Sequence, residues 1–502
     1  MKLSDVLILL VSGLMVSVSI SSQSLWIDEG YTAGYVTIPG WESFVDEILN
    51  SKSSQAQMPL YLIIGWMIEK IIDCSEWALR APNLFWAFLG VGSFWLIGKK
   101  MNAGWFPFVL AVQPYFWFYM DEARPYVMQI GASSLALYAF YMLVTAEKRR
   151  VGAGICLSLS LFCLCGASML GAVTTGWVYL MLVICFLTGK PRFSRAELIV
   201  ILGGIIVLGC LGIYYTWTLM RGAGGAVMWS SVGLQNIGLA VYEFMGATGY
   251  GPPRYELREM GQMKEYGEIV FRVFPGILAI GLPLAFLGGH FFYERIIGKR
   301  AWWSLPMICF IVAAGSALSL LVLAAVVGWP FWGRHLAPAF PFYLVWLAFS
   351  IKELFERRPW MGLTVGFLLF VIQFGSAVQI RFSAKHHKDD YRTAAIIAKD
   401  ALQNGKAVWW VADPACGDYY NVPRQSNVRN GAQYLMWERQ STLSQATVPD
   451  KIIFTKPSLM DPHRAVRQFI KDQHFIIEQT FPAFQIFVPS RQKSEDGSRH
   501  ER

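Results

Sequence analysis

WWSLPMICFIVAAGSALSLLVLAAVVG, residues 302–328, holds no charged side chain over a run long enough to cross the ~30 Å hydrocarbon core of a bilayer as an α-helix. Windows of the same kind recur at about 4–22, 79–98, 103–120, 125–146, 151–166, 168–188, 197–219, 271–292, 335–351 and 360–380. Eleven such windows predict a mainly α, polytopic membrane protein. The split between the fifth and sixth falls near Gly166, so that the basic clusters on either side face the same way. Composition agrees: of 502 residues 55% are hydrophobic and 15% charged, against roughly 25% charged in a soluble domain.

Charge is unevenly spread. Residues 381–502 carry 31 charged side chains in 122 positions, whereas the first 380 carry 46. This predicts a membrane domain over 1–380, a small external α/β domain over 381–490 and a disordered polar tail over 491–502. In the external part, Thr393 to Leu402 reads as helix, Ala407 to Ala412 and Lys451 to Thr455 as strands, Pro462 to Lys471 as helix and Phe475 to Val488 as a hairpin. The net charge of +9 is dispersed in short clusters between apolar runs, which argues for topology rather than nucleic-acid binding.

Lys2, Lys99, Lys100, Lys148, Arg149, Arg150, Lys190, Arg192, Arg195, Arg295, Lys299, Arg300, Lys352, Arg357 and Arg358 fall on one side, and the short loops opposite carry only Arg124 and Arg334. Such a bias puts the N-terminus in the cytoplasm and the C-terminal part outside. The first window also has the look of a signal peptide, but cleavage near residue 20 would cut the chain just before an acidic loop, so a retained helix is expected.

Four segments then share the outer face: 23–78, 120–126, 220–270 and 328–335. In the first, Trp41 to Leu49 and Pro59 to Ile72 suit helices lying at the membrane interface. The stretch 220–270, glycine-rich from Gly222 to Gly251 and followed by Pro252 and Pro253, reads as a mobile loop or lid with a short amphipathic helix over Val232 to Met245. Cys156, Cys163, Cys165, Cys185, Cys210 and Cys309 lie inside apolar runs as small core side chains, and only Cys74 and Cys416 are placed to share an oxidising compartment.

Candidate chemistry gathers on that face. Leu25-Trp26-Ile27-Asp28-Glu29-Gly30-Tyr31 sets two carboxylates where the chain leaves the bilayer, able to deprotonate a hydroxyl or bind a cation. Tyr119-Met120-Asp121-Glu122-Ala123-Arg124-Pro125-Tyr126 packs three charges into a turn between membrane helices, where ionisable groups are costly, and Pro125 suits a helix start. Gly328-Trp329-Pro330-Phe331-Trp332-Gly333-Arg334-His335 places a guanidinium fork, matched to phosphate, among interfacial aromatics. The bland alternatives are a solvated loop start, a carboxylate that merely quiets Arg124, and a snorkelling Arg334.

Trp26-Ile27-Asp28-Glu29, Met58-Pro59-Leu60-Tyr61, Ala78-Leu79-Arg80-Ala81-Pro82, Glu122-Ala123-Arg124-Pro125-Tyr126 and Gly333-Arg334-His335-Leu336-Ala337-Pro338, in this order and spacing, resemble the GT-C glycosyltransferases. The likeness is to the bacterial branch related to protein O-mannosyltransferases and lipid A aminoarabinose transferases, and it is strongest over 20–140. It implies transfer of a monosaccharide from a polyprenyl-phosphate donor, such as an undecaprenyl lipid, to an acceptor hydroxyl on a lipid, polysaccharide or protein, with inversion, at the outer face of a bacterial inner membrane. By the same resemblance Asp28 is the general base, while Glu29 and Asp121 orient substrates or hold a divalent cation where one is used. Arg124, Arg334, His335 and Arg80 bind the lipid phosphate, and Tyr61 and Tyr126 line the pocket. Where relatives carry His or Lys and a second Pro, this chain has Gln55-Ala56-Gln57-Met58, so Gln57 or Lys52 is expected to stand in. His386 and His387 read as surface residues. The rival from another class is a lipid-linked sugar flippase, with Asp28, Asp121 and Arg124 lining a path; it calls for charges near the midplane and related halves. A sensor with an external ligand-binding domain ranks last, because it leaves the many spans and the acidic loop unexplained.

Overall fold

A computed structural model describes residues 2–145, 150–188, 193–223, 233–254, 256–257, 260, 266–298, 303–426, 430–435 and 448–490. The chain divides into two compact units, the first comprising Met1–Ser22, Tyr35–Pro253 and Gly267–His386 and the second Gln23–Gly34, Arg254–Tyr266 and His387–Arg502. The tail expected to be disordered and parts of the expected lid, 224–232 and 261–265 among them, lie outside the described residues.

The first unit is helical. Among the described residues seven helices are long and apolar enough to cross a membrane: Glu76–Lys100, Tyr126–Thr145, Arg150–Ala167, Arg195–Met220, Gly267–Ile296, Leu305–Val327 and Pro359–Phe382. Leu3–Val18, Pro59–Glu69 and Gly171–Leu187 are shorter and apolar. Their outward faces carry large apolar side chains at helical spacing, as with Leu3, Leu7, Leu10 and Leu14, or Leu318, Val322 and Val326. In water such stripes would be a liability, but against lipid they are the expected surface. Trp41–Asn50, Pro59–Glu69 and Leu234–Phe244 form where short helices were expected.

The window 103–120 departs from expectation. It forms two short helices, Phe106–Ala111 and Pro114–Met120, neither long enough to span. The break follows from Pro114, which has no N–H to continue the first helix and is suited to starting the second. Both pieces are buried nearly throughout, so their apolar composition serves the protein core instead of a lipid face. The window at 335 likewise opens with a 3-10 segment, Gly333–Ala339, before Phe340–Arg357, with Pro338 and Pro341 at the join.

Tyr126–Thr145 is the most enclosed of the seven long helices. It approaches Glu76–Lys100 so closely that a Cβ on Gly131 would overlap the carbonyl of Trp86. Small residues allow such contact between membrane helices. Gly131→Ala is expected to push the two apart and destabilise the fold by roughly 1–3 kcal/mol; thermal unfolding of the detergent-solubilised protein reads this, and unchanged melting would refute the close approach. At other helix ends the basic side chains that signal topology are partly paired: Arg295 grips Glu353 with two bonds of 2.8 and 2.9 Å, and Arg357 meets Glu294 at 2.7 Å.

The second unit is α/β. Strands β1 (Val408–Val411), β2 (Gln433–Tyr434), β3 (Lys451–Thr455), β4 (Phe475–Phe481) and β5 (Phe484–Pro489) form one sheet in the order β2-β1-β3-β5-β4. β1 is parallel to β2 and to β3, while β5 runs antiparallel to β3 and β4. Val-Trp-Trp-Val is apolar at every position because a central parallel strand is covered on both faces. Val408 and Trp410 face a core with the alanine-rich helix Tyr391–Gln403, and Trp409 and Val411 face another with Ala465–Asp472. β2 and the helix Pro414–Tyr419 carry too few residues for a period to show in sequence.

The boundary falls at His386/His387, six residues past the compositional one, and Gln23–Gly34 belongs to the α/β unit instead of the membrane unit. The cause is Ile27, which packs against both α/β cores, together with the Tyr420 hydroxyl, which binds Leu25 N–H at 2.9 Å and Ser24 Oγ at 3.2 Å.

Candidate active site

In the membrane unit the turn after Pro114–Met120 is built around Asp121. Its carboxylate accepts from the Ser21 backbone N–H (2.5 Å) and hydroxyl (2.8 Å), and Arg80 Nη1 stands 3.8 Å away. Arg80 also donates to the Ser21 carbonyl at 3.0 Å and is wholly buried. Asn83, one turn along the same chain segment, donates to the carbonyls of Met120 and Glu122 at 3.1 and 2.7 Å. Buried charge requires partners of this kind. The Ala78-Leu79-Arg80-Ala81-Pro82 motif thus fixes the Asp121 turn from below, with Pro82 starting the helix that carries Asn83.

Arg124 sits at the other end of the turn. Its N–H donates to Glu122 O at 2.8 Å, and its guanidinium donates to Gln55 Oε1 at 3.3 Å. Gln55 is buried in the 3-10 segment Ser54–Gln57, whose N-cap is Ser53. It is the member of Gln55-Ala56-Gln57-Met58 that reaches the arginine, whereas Gln57 donates to Ala223 O at 3.4 Å. Sequence reading missed this because an amide carries no charge signal. Tyr119 and Tyr126 lie ring to ring at 4.7 Å, and Tyr115 continues the row at 4.8 Å from Tyr119. Tyr61 is buried on Pro59–Glu69.

The third motif is tied to this turn by Tyr115, whose hydroxyl donates to Gly333 O at 2.8 Å, and by Ser133, which donates to Pro338 O at 2.6 Å. Gly333 is needed because Glu243, from the helix Leu234–Phe244, occupies the space a Cβ would take. His335 Nδ1 accepts from Trp332 N–H at 3.3 Å. That bond requires Nδ1 to be bare, so the imidazole is neutral, with its one proton on Nε2. It can offer a hydrogen bond to an oxyanion but not a charge.

The acidic pair belongs to the α/β unit. It lies in the first turn of Ile27–Val36, where the helix dipole favours negative charge. Glu29 is fully buried, accepts from Trp26 N–H at 3.3 Å and pairs with Lys388 Nζ at 3.1 Å. Asp28 is half-buried. Gly30 lies against Cys416, whose Sγ a Cβ would strike at 2.6 Å. Close by, Asp413 caps Pro414–Tyr419, its Oδ1 accepting from the N–H groups of Ala415 and Cys416 at 2.9 and 3.4 Å. Burial raises this carboxyl from 3.8 to about 6, the negative charge of Asp28 adding to it while the cap bonds and Lys456 oppose. The Cys416 thiol is pushed up by burial and by Asp413, so it stays protonated. All eight cysteines are free.

An acid whose pKa is higher folded than unfolded costs stability as pH climbs from about 4 through 6. Asp413→Asn keeps the Oδ1 acceptor and removes the charge that faces Asp28. It is expected to stabilise the protein at pH 7.5 by on the order of 2 kcal/mol and to have no effect near pH 4. Thermal unfolding at the two pH values checks this; equal effects at both would refute the raised carboxyl. Among the described residues no three His, Cys, Asp or Glu side chains gather as a metal-ligand set.

No family model and no curated protein matches this sequence. Solved structures do. ArnT from Cupriavidus metallidurans in the apo state aligns over 96% of this chain and 97% of its own, with a TM-score of 0.55 at 11% identity. The same protein bound to undecaprenyl phosphate aligns over 96% and 97%, at 0.52 and 12%. The oligosaccharyltransferase AglB from Archaeoglobus fulgidus, in complex with an inhibitory peptide and a dolichol-phosphate, aligns over 99% of this chain and 75% of its own at 0.47 and 8%. The ArnT alignments over nearly the whole length of both chains show that this protein has the ArnT-like GT-C fold: a mainly α membrane unit followed by a small mixed sheet.

Proposed function

We propose that this protein is a membrane glycosyltransferase that moves a monosaccharide from a polyprenyl-phosphate donor to an acceptor hydroxyl on the outer face of a bacterial inner membrane. The observation that carries the reading is the Asp121 to Arg124 turn. Two arginines, a buried carboxylate and a row of tyrosines converge there, on a fold shared with an ArnT whose structure holds undecaprenyl phosphate.

The acceptor oxygen attacks the anomeric carbon, the bond from that carbon to the phosphate oxygen breaks, and the product is a glycoside of inverted configuration. Asp28 takes the acceptor proton, and polyprenyl phosphate leaves with the bonding pair. Arg124 and Arg334 stabilise the charge that develops on the leaving phosphate, and His335 contributes a neutral hydrogen bond from Nε2. Arg80, buried against Asp121 and Ser21, holds the turn in place. Asp121 does the same from the other side of that pair, and a cation held by Asp121 or Glu29 would have to displace Arg80 or Lys388. Tyr61 and Tyr126 line the donor pocket. The N-terminus is cytoplasmic and the α/β unit external, and the donor arrives already lipid-linked, so no sugar nucleotide enters the reaction.

The test is to incubate purified protein with radiolabelled undecaprenyl-phosphate sugars and follow release of free undecaprenyl phosphate. Release that depends on an added acceptor supports transfer. Passage of the intact lipid across a bilayer without release would favour the flippase instead.

A further inference from the structure

In the α/β unit the parallel strands β1 and β3 are neighbours, yet the chain leaves them in opposite directions. After β1 it enters Pro414–Tyr419, whose Cys416 lies in the core on one face of the sheet; after β3 it runs to Ala465–Asp472, whose Val466 and Ile470 lie in the core on the other. Where adjacent parallel strands diverge like this, a crevice opens at their carboxyl ends, and open α/β sheets bind their ligands there. Here the residues at that point are Asp413 and Cys416 after β1 and Lys456 after β3. Lys456 holds a φ of +41°, a left-handed conformation that costs a non-glycine residue energy and is retained where the surroundings demand it.

What lies at those strand ends is a segment of this same chain. Ile27 touches both cores, Gly30 abuts Cys416, and the phenol of Tyr31 is hydrogen-bonded to Asp413. The ammonium of Lys456 lies 5.8 Å from the centre of the Trp26 ring and is ion-paired with Asp389. Lys388 reaches Glu29 at 3.1 Å, and Tyr420 holds Leu25 and Ser24. Ser24, Leu25, Trp26, Ile27, Glu29, Gly30 and Tyr31 thereby each have a contact in this unit. Asp28 itself acts on the crevice through its charge on Asp413.

We infer that the α/β unit is a positioning domain: its strand-end crevice takes Ser24–Tyr31 where a sheet of this topology takes a ligand, with Lys388 and Lys456 as the positioning residues that set Asp28 and Glu29. The inference rests on the reading of Asp28 as general base. Its physical core is Glu29. A carboxylate with no exposure keeps its charge only while a cation faces it. Losing Lys388 takes a cation away from a carboxylate in the first turn of Ile27–Val36, the turn on which Asp28 also sits, and so disturbs that turn. A displacement of about 1 Å at a reacting group is worth roughly 100-fold in rate. Lys456 acts at the other end of the segment, through Trp26, and its strained backbone fits a residue held for that contact. The carboxylates thus have different tasks: Glu29 anchors and Asp28 reacts.

The experiment uses the full-length protein in nanodiscs and compares Lys388→Met, Lys388→Arg, Glu29→Gln, the double variant Lys388→Met/Glu29→Gln, and Lys456→Met. Two quantities are read: hydrogen exchange of the amides of residues 23–34, and kcat and KM for radiolabelled undecaprenyl-phosphate sugar. Lys388→Met and Lys456→Met are each expected to speed exchange about tenfold and to lower kcat roughly 10- to 100-fold, with KM for the donor within about twofold. Lys388→Arg should restore most of both. The double variant should exchange more slowly than Lys388→Met, because a neutral amide no longer needs the cation. Unchanged exchange in both lysine variants overturns the inference, as does faster exchange that leaves kcat untouched. Should the wild type transfer sugar from no such donor, the glycosyltransferase reading fails by itself, and the exchange data still decide whether the α/β unit holds the segment.

Discussion

Asp28→Asn is expected to lower transfer by roughly 100- to 10,000-fold, the range general-base catalysis supplies, while leaving affinity for undecaprenyl phosphate within about twofold. Asn matches Asp in shape, so the half-buried side chain keeps its fit. What is lost is the basic carboxylate that takes the acceptor proton, since an amide oxygen accepts hydrogen bonds but does not take up a proton at neutral pH. The neighbours allow a clean reading. Glu29 stays paired with Lys388, Thr32 still donates to the backbone carbonyl of residue 28 at 3.2 Å, and Ile27 still packs into both α/β cores. Thermal unfolding and hydrogen exchange over residues 23–34 should therefore match the wild type. One electrostatic change is expected alongside: with the negative charge at 28 gone, the carboxyl of Asp413 falls from about 6. A variant that turns over within about threefold of the wild type would remove Asp28 from the mechanism and move attention to Glu29 or Asp121.

Features that depend on nearest neighbours along the chain are legible in the sequence alone. The uncharged run at 302–328 and its fellows mark helices, because the bilayer demands about 20 apolar residues of each span, and Leu305–Val327 lies inside that run. The hairpin of β4 and β5 and the helix Tyr391–Gln403 followed from their periods in the same way. The failure at 103–120 has a definite cause: hydropathy sees only that Phe106 to Met120 is apolar, and cannot tell a lipid-facing helix from two short helices buried in protein. Its prolines were the available signal.

The candidate site divides along the same line. Asp28, Glu29, Asp121, Arg124 and Arg334 stand out because charge beside apolar runs is rare and costly. Their partners are remote in sequence and ordinary in type. Ser21 reaches Asp121 across 100 residues, Gln55 reaches Arg124 across 69, and Lys388 reaches Glu29 across 359. No local pattern marks a serine, a glutamine or a lysine for such a task. Arg80 is the converse case: its motif reads as that of a phosphate ligand, and the structure adds what the motif does not show, a buried guanidinium that donates to Ser21 O and stands beside Asp121.

That contrast sharpens the second large effect. Arg124→Ala is expected to cut transfer by roughly 100- to 1,000-fold, or about 2.7–4 kcal/mol of transition-state stabilisation, and to weaken binding of undecaprenyl phosphate itself. The proposed role fits where Arg124 lies, two residues before the helix Tyr126–Thr145, with its N–H bonded to Glu122 O and its guanidinium donating to Gln55 at 3.3 Å. A fork of donors held in one plane matches phosphate oxygens in a way that a lysine ammonium does not. Arg124→Lys should therefore recover little, and Gln55→Leu, which loosens the fork without removing it, should cost far less than Arg124→Ala. Arg80→Ala should behave differently. With Arg80 gone from beside the buried Asp121, the loss should appear chiefly as a lower melting temperature, by an amount on the order of 3 kcal/mol. Release of radiolabelled undecaprenyl phosphate, its binding isotherm and thermal unfolding, measured side by side for these variants, separate the two arginines. Wild-type release and binding in Arg124→Ala would take that arginine out of the donor site, and with it the charge on which the glycosyltransferase reading leans most.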